Sequence, residues 1–241
     1  MEQPLGTVRR VAFFGGSFDP PHEGHLAVAR AAQRALKLDL VLFAPVGAQP
    51  LKPLGSAASF EDRVEMTRLA IAGQAGFEVS LIDAPKPDAA PNYTIDTLLA
   101  LRAQLPVDSA LFCLMGADSF FGLRHWHRAA EIPFVAPLAV AARPGQPFDD
   151  LKAALPRGVT IELLPPGRDP ASEERIVLDT CVLRNAAGET APLYLLPGLH
   201  VEISASQVRE QIQSEVGLRN RQSQVLPAPV LNYIRAHGLY R

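Results

Sequence analysis

The 241-residue chain is short of cysteine, of tryptophan and of net charge, and the shortages of cysteine and charge each close off a class of protein. Its two cysteines, Cys113 and Cys181, sit in separate apolar runs without CxxC spacing. That excludes a disulfide framework or zinc ribbon and fits buried thiols in a reducing compartment. A net charge of −2 supplies no basic field for nucleic acid, so an anionic ligand has to be met by a local site. No run approaches the roughly 18 uncharged apolar residues of a membrane span, and MEQPLGTVRRVAFFGG has no long apolar stretch before a cleavage-like site. A cytoplasmic protein, engaging neither membrane nor nucleic acid, is expected.

Three ligand motifs are also missing. There is no GxxxxGK[ST] phosphate loop. There is no GxGxxG, although Asp39 lies near the distance of a ribose carboxylate, so hydride transfer is a weak reading. The paired histidines stand in HEGH rather than HExxH, which gives the i, i+3 spacing instead of the i, i+4 of a helical zinc site. No metal held by protein ligands is expected.

What is present is material for a core, with 48% hydrophobic residues. Apolar runs at Val8–Phe14, Leu40–Val46, Phe77–Ile82, Ala110–Met115 and Leu138–Ala142 predict buried strands. They alternate with helical patterns at Glu23–Leu38, after Ser59 as far as Gly73, at Thr94–Leu105 and at Ser119–Ile132. Strand and helix in alternation predict an α/β fold with a doubly wound, Rossmann-like and mostly parallel sheet. Beyond Arg143 the pattern loosens: Ile176–Leu196 suggests a β-hairpin turning at Asn185–Gly188. Order is expected again at His200–Ile203, followed by helices at Ser206–Glu215 and Pro229–His237 that form a C-terminal helical appendage over 204–241.

The stretch richest in chemistry is GGSFDPPHEGHL, residues 15–26. A buried strand ending in Gly15-Gly16 and followed closely by a helix gathers backbone N–H groups and a helix N-terminus, an arrangement that binds phosphates. His22 and His25 share one face of the helix start. They serve either as ordinary polar groups of a proline-shaped turn or as ligands to what the loop holds.

GGSFDPPHEGHL resembles the GG[ST]FDPxHxGH signature of the nucleotidyltransferase superfamily, which shares a (T/H)xGH element with class I aminoacyl-tRNA synthetases. More closely, the chain resembles the bacterial nicotinate-nucleotide adenylyltransferases. Pro91-Asn92-Tyr93-Thr94 is similar to their [ST]YT segment, Met115–Ser119 to GxDs, Arg143-Pro144-Gly145 to RPG, Ile203–Arg209 (ISASQVR) to ISs[ST]xIR, and Pro227–Tyr240 to the closing helix. The likeness covers about 8–145 and 200–241. It implies one nucleotidyltransferase domain, 1–241, that joins the adenylyl group of ATP to nicotinate mononucleotide, with Mg2+ carried on the ATP phosphates. Two alternatives are a sister enzyme acting on nicotinamide mononucleotide or another phosphate ester, and a nucleotide-binding regulator that has lost catalysis.

The resemblance also implies roles. His22 and His25 would donate to the ATP phosphates, with phosphate charge favouring their protonated form. Gly15 and Gly16 would let the chain pass close to the nucleotide, and Lys52 would supply a cation. Ser204, Ser206 and Arg209 would hold the leaving pyrophosphate, with Ser204 and Gln207 also forming a capping box. Gly116 and Asp118 would meet the ribose, although Asp118 has the alternative of an N-cap. On the mononucleotide side stand the backbone of Ser17 and Phe18, together with Tyr93, Thr94, Trp126 and Arg143. Asp19 is expected mainly to fix the loop.

Two departures stand out. Leu51 occupies the place of a phosphate-contacting histidine in the family's PPH[KR]. The connection over about 165–199 is longer than usual: a surface insertion, a lid, or a contact that would make a homo-oligomer.

Overall fold

The computed structural model describes residues 9–51, 55–141, 148–163, 179–196, 204–214 and 225–241. Lys52, Arg143, residues 165–178 and 197–199 of the 165–199 connection, and the order expected at His200–Ile203 lie outside the described residues.

Eight strands are described: β1 (Arg10–Gly16), β2 (Leu40–Pro45), β3 (Phe77–Val79), β4 (Ala110–Gly116), β5 (Leu138–Ala141), β6 (Thr160–Leu163), β7 (Asp179–Arg184) and β8 (Thr190–Leu196). They form one sheet in the order β3-β2-β1-β4-β5-β8-β7-β6. The pairs β2/β3, β1/β4, β4/β5 and β5/β8 are parallel, whereas β6/β7 and β7/β8 are antiparallel. The expected α/β architecture is therefore present, as a mixed sheet. The helices are α1 (Glu23–Leu36), α2 (Phe60–Ile71), α3 (Thr94–Gln104), α4 (Ala117–Gly122), α5 (Ile132–Val135), α6 (Phe148–Ala154), α7 (Ala205–Gln213) and α8 (Ala228–His237). Among the described residues, no helix is long and apolar enough to cross a membrane.

By internal contacts the described residues fall into two compact units. The first holds 9–14, 31–40 and 93–196. Its core is β4, whose Leu111–Met115 are buried as the continuous apolar run predicts. Both free cysteines are buried there, and burial alone pushes the Cys113 thiol up to about 12. Asp39 accepts hydrogen bonds from the backbone N–H groups of Arg9 (3.1 Å) and Arg10 (2.9 Å), so this carboxylate fastens the start of β1. The hairpin β7/β8 turns where Asn185 Oδ1 accepts from the N–H groups of Ala187 and Glu189, each at 3.0 Å, with Gly188 at φ 83°.

The second unit holds 15–30, 41–92 and 204–241. Its strand β2 is buried at every position. Helix α2 starts at the expected cap, Ser59 accepting from the Asp62 N–H at 3.0 Å, and α8 ends at Gly238 in the left-handed region, φ 62°. A side chain at Gly47 would lie 2.4 Å from the backbone nitrogen of Pro85, so the chain crosses itself too closely there for any other residue.

Three expected elements are corrected. The first helix stops at Leu36 rather than Leu38 because Lys37 turns left-handed, φ 49°. Strand β3 ends at Val79 rather than Ile82, where the chain turns with Ala84 N–H donating to the Leu81 carbonyl. The single helix expected over Ser119–Ile132 is three pieces: α4, a 3-10 turn at Leu123–His125, and α5. Gly122 closes the first piece, Arg128 breaks the path at φ 49°, and Pro133, without an N–H, fits only the first turn of a new helix.

Candidate active site

The opening motif, the α2 helix and the C-terminal helices meet within the second unit. Gly16 ends β1, and a side chain on it would press within 3.2 Å of the Phe18 ring. Phe18 itself is left-handed at φ 48°, an outlier for a bulky residue, and is held there by burial of its ring against His25 (5.0 Å) and Phe43 (5.7 Å). The strain turns the chain so that Ser17 and Asp19 face a cavity while Phe18 points inward. The Ser17 hydroxyl accepts from Gln49 Nε2, and its carbonyl accepts from Arg63 Nη1 at 2.7 Å.

Asp19 is buried. Its carboxylate accepts from the N–H groups of Ala57 (2.7 Å) and Ala58 (3.1 Å) and from the Tyr240 hydroxyl (2.7 Å). On one side lies Arg209, whose Nη1 donates to the Asp19 carbonyl at 2.7 Å and stands 3.8 Å from Oδ2. Arg63 is buried as well, its Nη2 donating to the Val46 carbonyl at 2.9 Å. Burial lowers the Arg63 pKa, and the charge of Asp19 works against that shift. Arg63 and Arg209 thus bring two cations near the Asp19 carboxylate.

The histidines begin α1. The His22 carbonyl accepts from the His25 N–H at 2.9 Å, and the His22 N–H donates to His25 Nδ1 at 3.2 Å. Because Nδ1 of His25 accepts, a neutral His25 carries its proton on Nε2. The two rings lie 3.7 Å apart, and His22 Nδ1 is buried without a hydrogen-bond partner. Burial lowers the His22 pKa to about 4, and burial and then the neighbouring His22 hold His25 well below its ordinary value. Burial thus favours the neutral form of both rings, and the charge of a bound phosphate would work against it.

This has a pH consequence. Below the ordinary histidine range the unfolded chain takes up protons that folded His22 refuses until about pH 4. Stability therefore falls as pH drops from about 6.5 to 4, by about 3 kcal/mol for His22 at the limit. In an NMR titration the His22 ring is expected to titrate near pH 4, whereas a midpoint near 6.5 would contradict this burial.

Arg209 and Ser206 rise from the start of α7. The capping box is present, with Ser204 Oγ accepting from Gln207 N–H and Gln207 Oε1 accepting from Ser204 N–H, both at 3.2 Å. Arg209 Nη2 also donates to Ser206 Oγ at 3.2 Å. A cavity of about 440 Å³ lies between Ser17, Asp19, Ser56, Ala57, Ser206 and Arg209. The structure thus gathers Ser17, Ser206 and Arg209 from opposite ends of the sequence. Arg63, Ser56 and Tyr240 were not foreseen: Arg63 had a readable signal, a cation on the apolar face of α2, but the other two had none.

Gly116, Asp118, Tyr93, Thr94 and Trp126 lie in the first unit. Gly116 is the N-cap of α4 and Asp118 is its second residue and exposed, so the N-cap reading of Asp118 is corrected. Tyr93 precedes α3, Thr94 is its first residue, and the Tyr93 ring lies tilted against His127 with centroids 4.3 Å apart, beside half-buried Trp126.

Comparison with known proteins bears on the family of the chain. The cytidylyltransferase-like family model matches residues 13–211. A protein of Gloeobacter violaceus, named probable nicotinate-nucleotide adenylyltransferase, is 38% identical over 96% of each chain. One of the same name from Dechloromonas aromatica is 35% identical over 100% of this chain and 99% of its own. The Plasmodium falciparum nicotinic acid mononucleotide adenylyltransferase complexed with NaAD is similar in fold, with a TM-score of 0.67, 14% identity and coverage of 96% and 97%. The chain belongs to the cytidylyltransferase-like family, in its nicotinate-nucleotide adenylyltransferase branch.

Proposed function

We propose that the protein transfers the adenylyl group of ATP to nicotinate mononucleotide, releasing nicotinate adenine dinucleotide and pyrophosphate in NAD biosynthesis. A phosphate oxygen of the mononucleotide attacks the α-phosphorus, and the bond from that phosphorus to the β-phosphate oxygen breaks. The nucleophile is already ionised at neutral pH, so positioning and charge stabilisation carry the reaction. The observation that supports this most directly is the buried, unpartnered Nδ1 of His22 in the same unit as the Arg209 cavity.

His22 and His25 act at the α-phosphoryl group as neutral N–H donors, and Gly15 and Gly16 bring the strand end close to it. Ser204, Ser206 and Arg209 receive the β- and γ-phosphates, with Lys52 adding a cation. Gly116 and Asp118 meet the ribose of ATP. Ser17 and Phe18, through backbone groups, and Tyr93, Thr94, Trp126 and Arg143 receive the mononucleotide. Among the described residues no three His, Cys, Asp or Glu side chains gather as a metal cage, and the Asp19 oxygens already accept three hydrogen bonds. Mg2+ would be held through the ATP phosphates, where it would neutralise charge on the leaving group. The same reading takes 1–241 as one nucleotidyltransferase domain working in the cytoplasm.

A panel of acceptors tests the reading. Pyrophosphate release from ATP is expected with nicotinate mononucleotide and to be weaker with nicotinamide mononucleotide. Preference for the amide would favour the sister enzyme, and no release with any acceptor would favour a regulator.

A further inference from the structure

Tyr240 is tied to the cavity through Asp19, which lines it. Tyr240 follows α8 and the Gly238 turn, and its backbone is left-handed at φ 63°, an unfavourable conformation for an aromatic residue. Its hydroxyl donates to Asp19 Oδ1 at 2.7 Å across 221 positions of sequence. Asp19 is the group on which the cavity is assembled: its carboxylate fixes the 57–58 backbone, and its carbonyl and Oδ2 face Arg209 Nη1 at 2.7 and 3.8 Å.

A carboxylate facing Arg209 competes with any phosphate for the same guanidinium. The Tyr240 hydroxyl bears on that competition. By donating to Oδ1 it stabilises the carboxylate charge and holds the group against the Ala57 and Ala58 N–H donors, leaving Oδ2 at ion-pair distance from Arg209 rather than in a close bidentate pair. Arg209 then keeps donor capacity for a ligand in the cavity while Asp19 and Ser206 hold its direction. From this geometry we infer that Tyr240 is a positioning residue: through Asp19 it sets the Arg209 guanidinium for the pyrophosphate half of ATP. The inference rests on the adenylyltransferase reading and adds to it a role for the C-terminal tyrosine.

The test is Tyr240→Phe, which removes one oxygen and keeps the ring. Inorganic pyrophosphate is the probe, measured as an inhibitor competitive with ATP in the full-length enzyme. The inhibition constant and the KM for ATP are expected to rise about tenfold, as for loss of a hydrogen bond to a charged group. The KM for the mononucleotide is expected to stay within about twofold, a split that general loosening would not produce. In an Arg209→Ala background, Tyr240→Phe is expected to add nothing to the loss of pyrophosphate affinity.

Unchanged pyrophosphate inhibition in Tyr240→Phe, additive effects in the double variant, or a variant unfolded at 25 °C would each overturn the inference. If the unaltered protein forms no dinucleotide, the adenylyltransferase reading itself fails, and that outcome is separate from any effect of the variant.

Discussion

Replacing His22 with alanine is expected to lower kcat by about 10²–10³, the loss typical of one preorganised donor to developing charge. The size follows from its environment. His22 is buried, its Nδ1 has no partner within the protein, and its pKa is held near 4, so at neutral pH it offers one N–H in a low-dielectric setting. Such a donor is strengthened when an α-phosphate oxygen completes it, and charge shifts at that oxygen during transfer. Steady-state kinetics would show the loss in kcat with a smaller change in the KM for ATP, because the proposal gives the other end of ATP to Arg209 and Ser206. Turnover near that of the unaltered enzyme would remove His22 from the mechanism.

The Asp19→Ala variant is expected to lose about 3–5 kcal/mol of stability, the range for breaking a buried charged pair by removing one partner. Three donors lose their acceptor at once, two of them the backbone N–H groups of Ala57 and Ala58, the third the Tyr240 hydroxyl. Arg63 would then keep a buried guanidinium with its strongest compensating charge gone. Urea unfolding measures the difference directly, and a loss below about 1 kcal/mol would mean that water replaces the carboxylate freely. Asp19, expected from the sequence to be mainly a loop-fixing residue, is thus a fastening point for three distant segments.

Much of the fold could be read from the sequence because its signals are local. The continuous apolar runs of β2 and β4 cannot be buried except within a covered sheet, and Ser59, Ser204 and Gly238 mark helix ends by their own chemistry. The error at 119–132 is equally local: helical periodicity there conceals a left-handed Arg128 whose conformation no pattern announces. The loop around GGSFDPPHEGHL could be recognised as an anion site, but its support could not. The Asp19–Tyr240 bond joins residues 221 positions apart, and the neutrality of the two histidines arises from burial that only packing creates.

The central claim is adenylyl transfer, and the most direct measurement follows the label of ATP carrying a radioactive α-phosphate, incubated with the protein, Mg2+ and nicotinate mononucleotide. The account predicts that the label appears in nicotinate adenine dinucleotide, with unlabelled pyrophosphate released in equal amount. Label that stays in ATP, or passes to AMP or ADP without forming the dinucleotide, would contradict it.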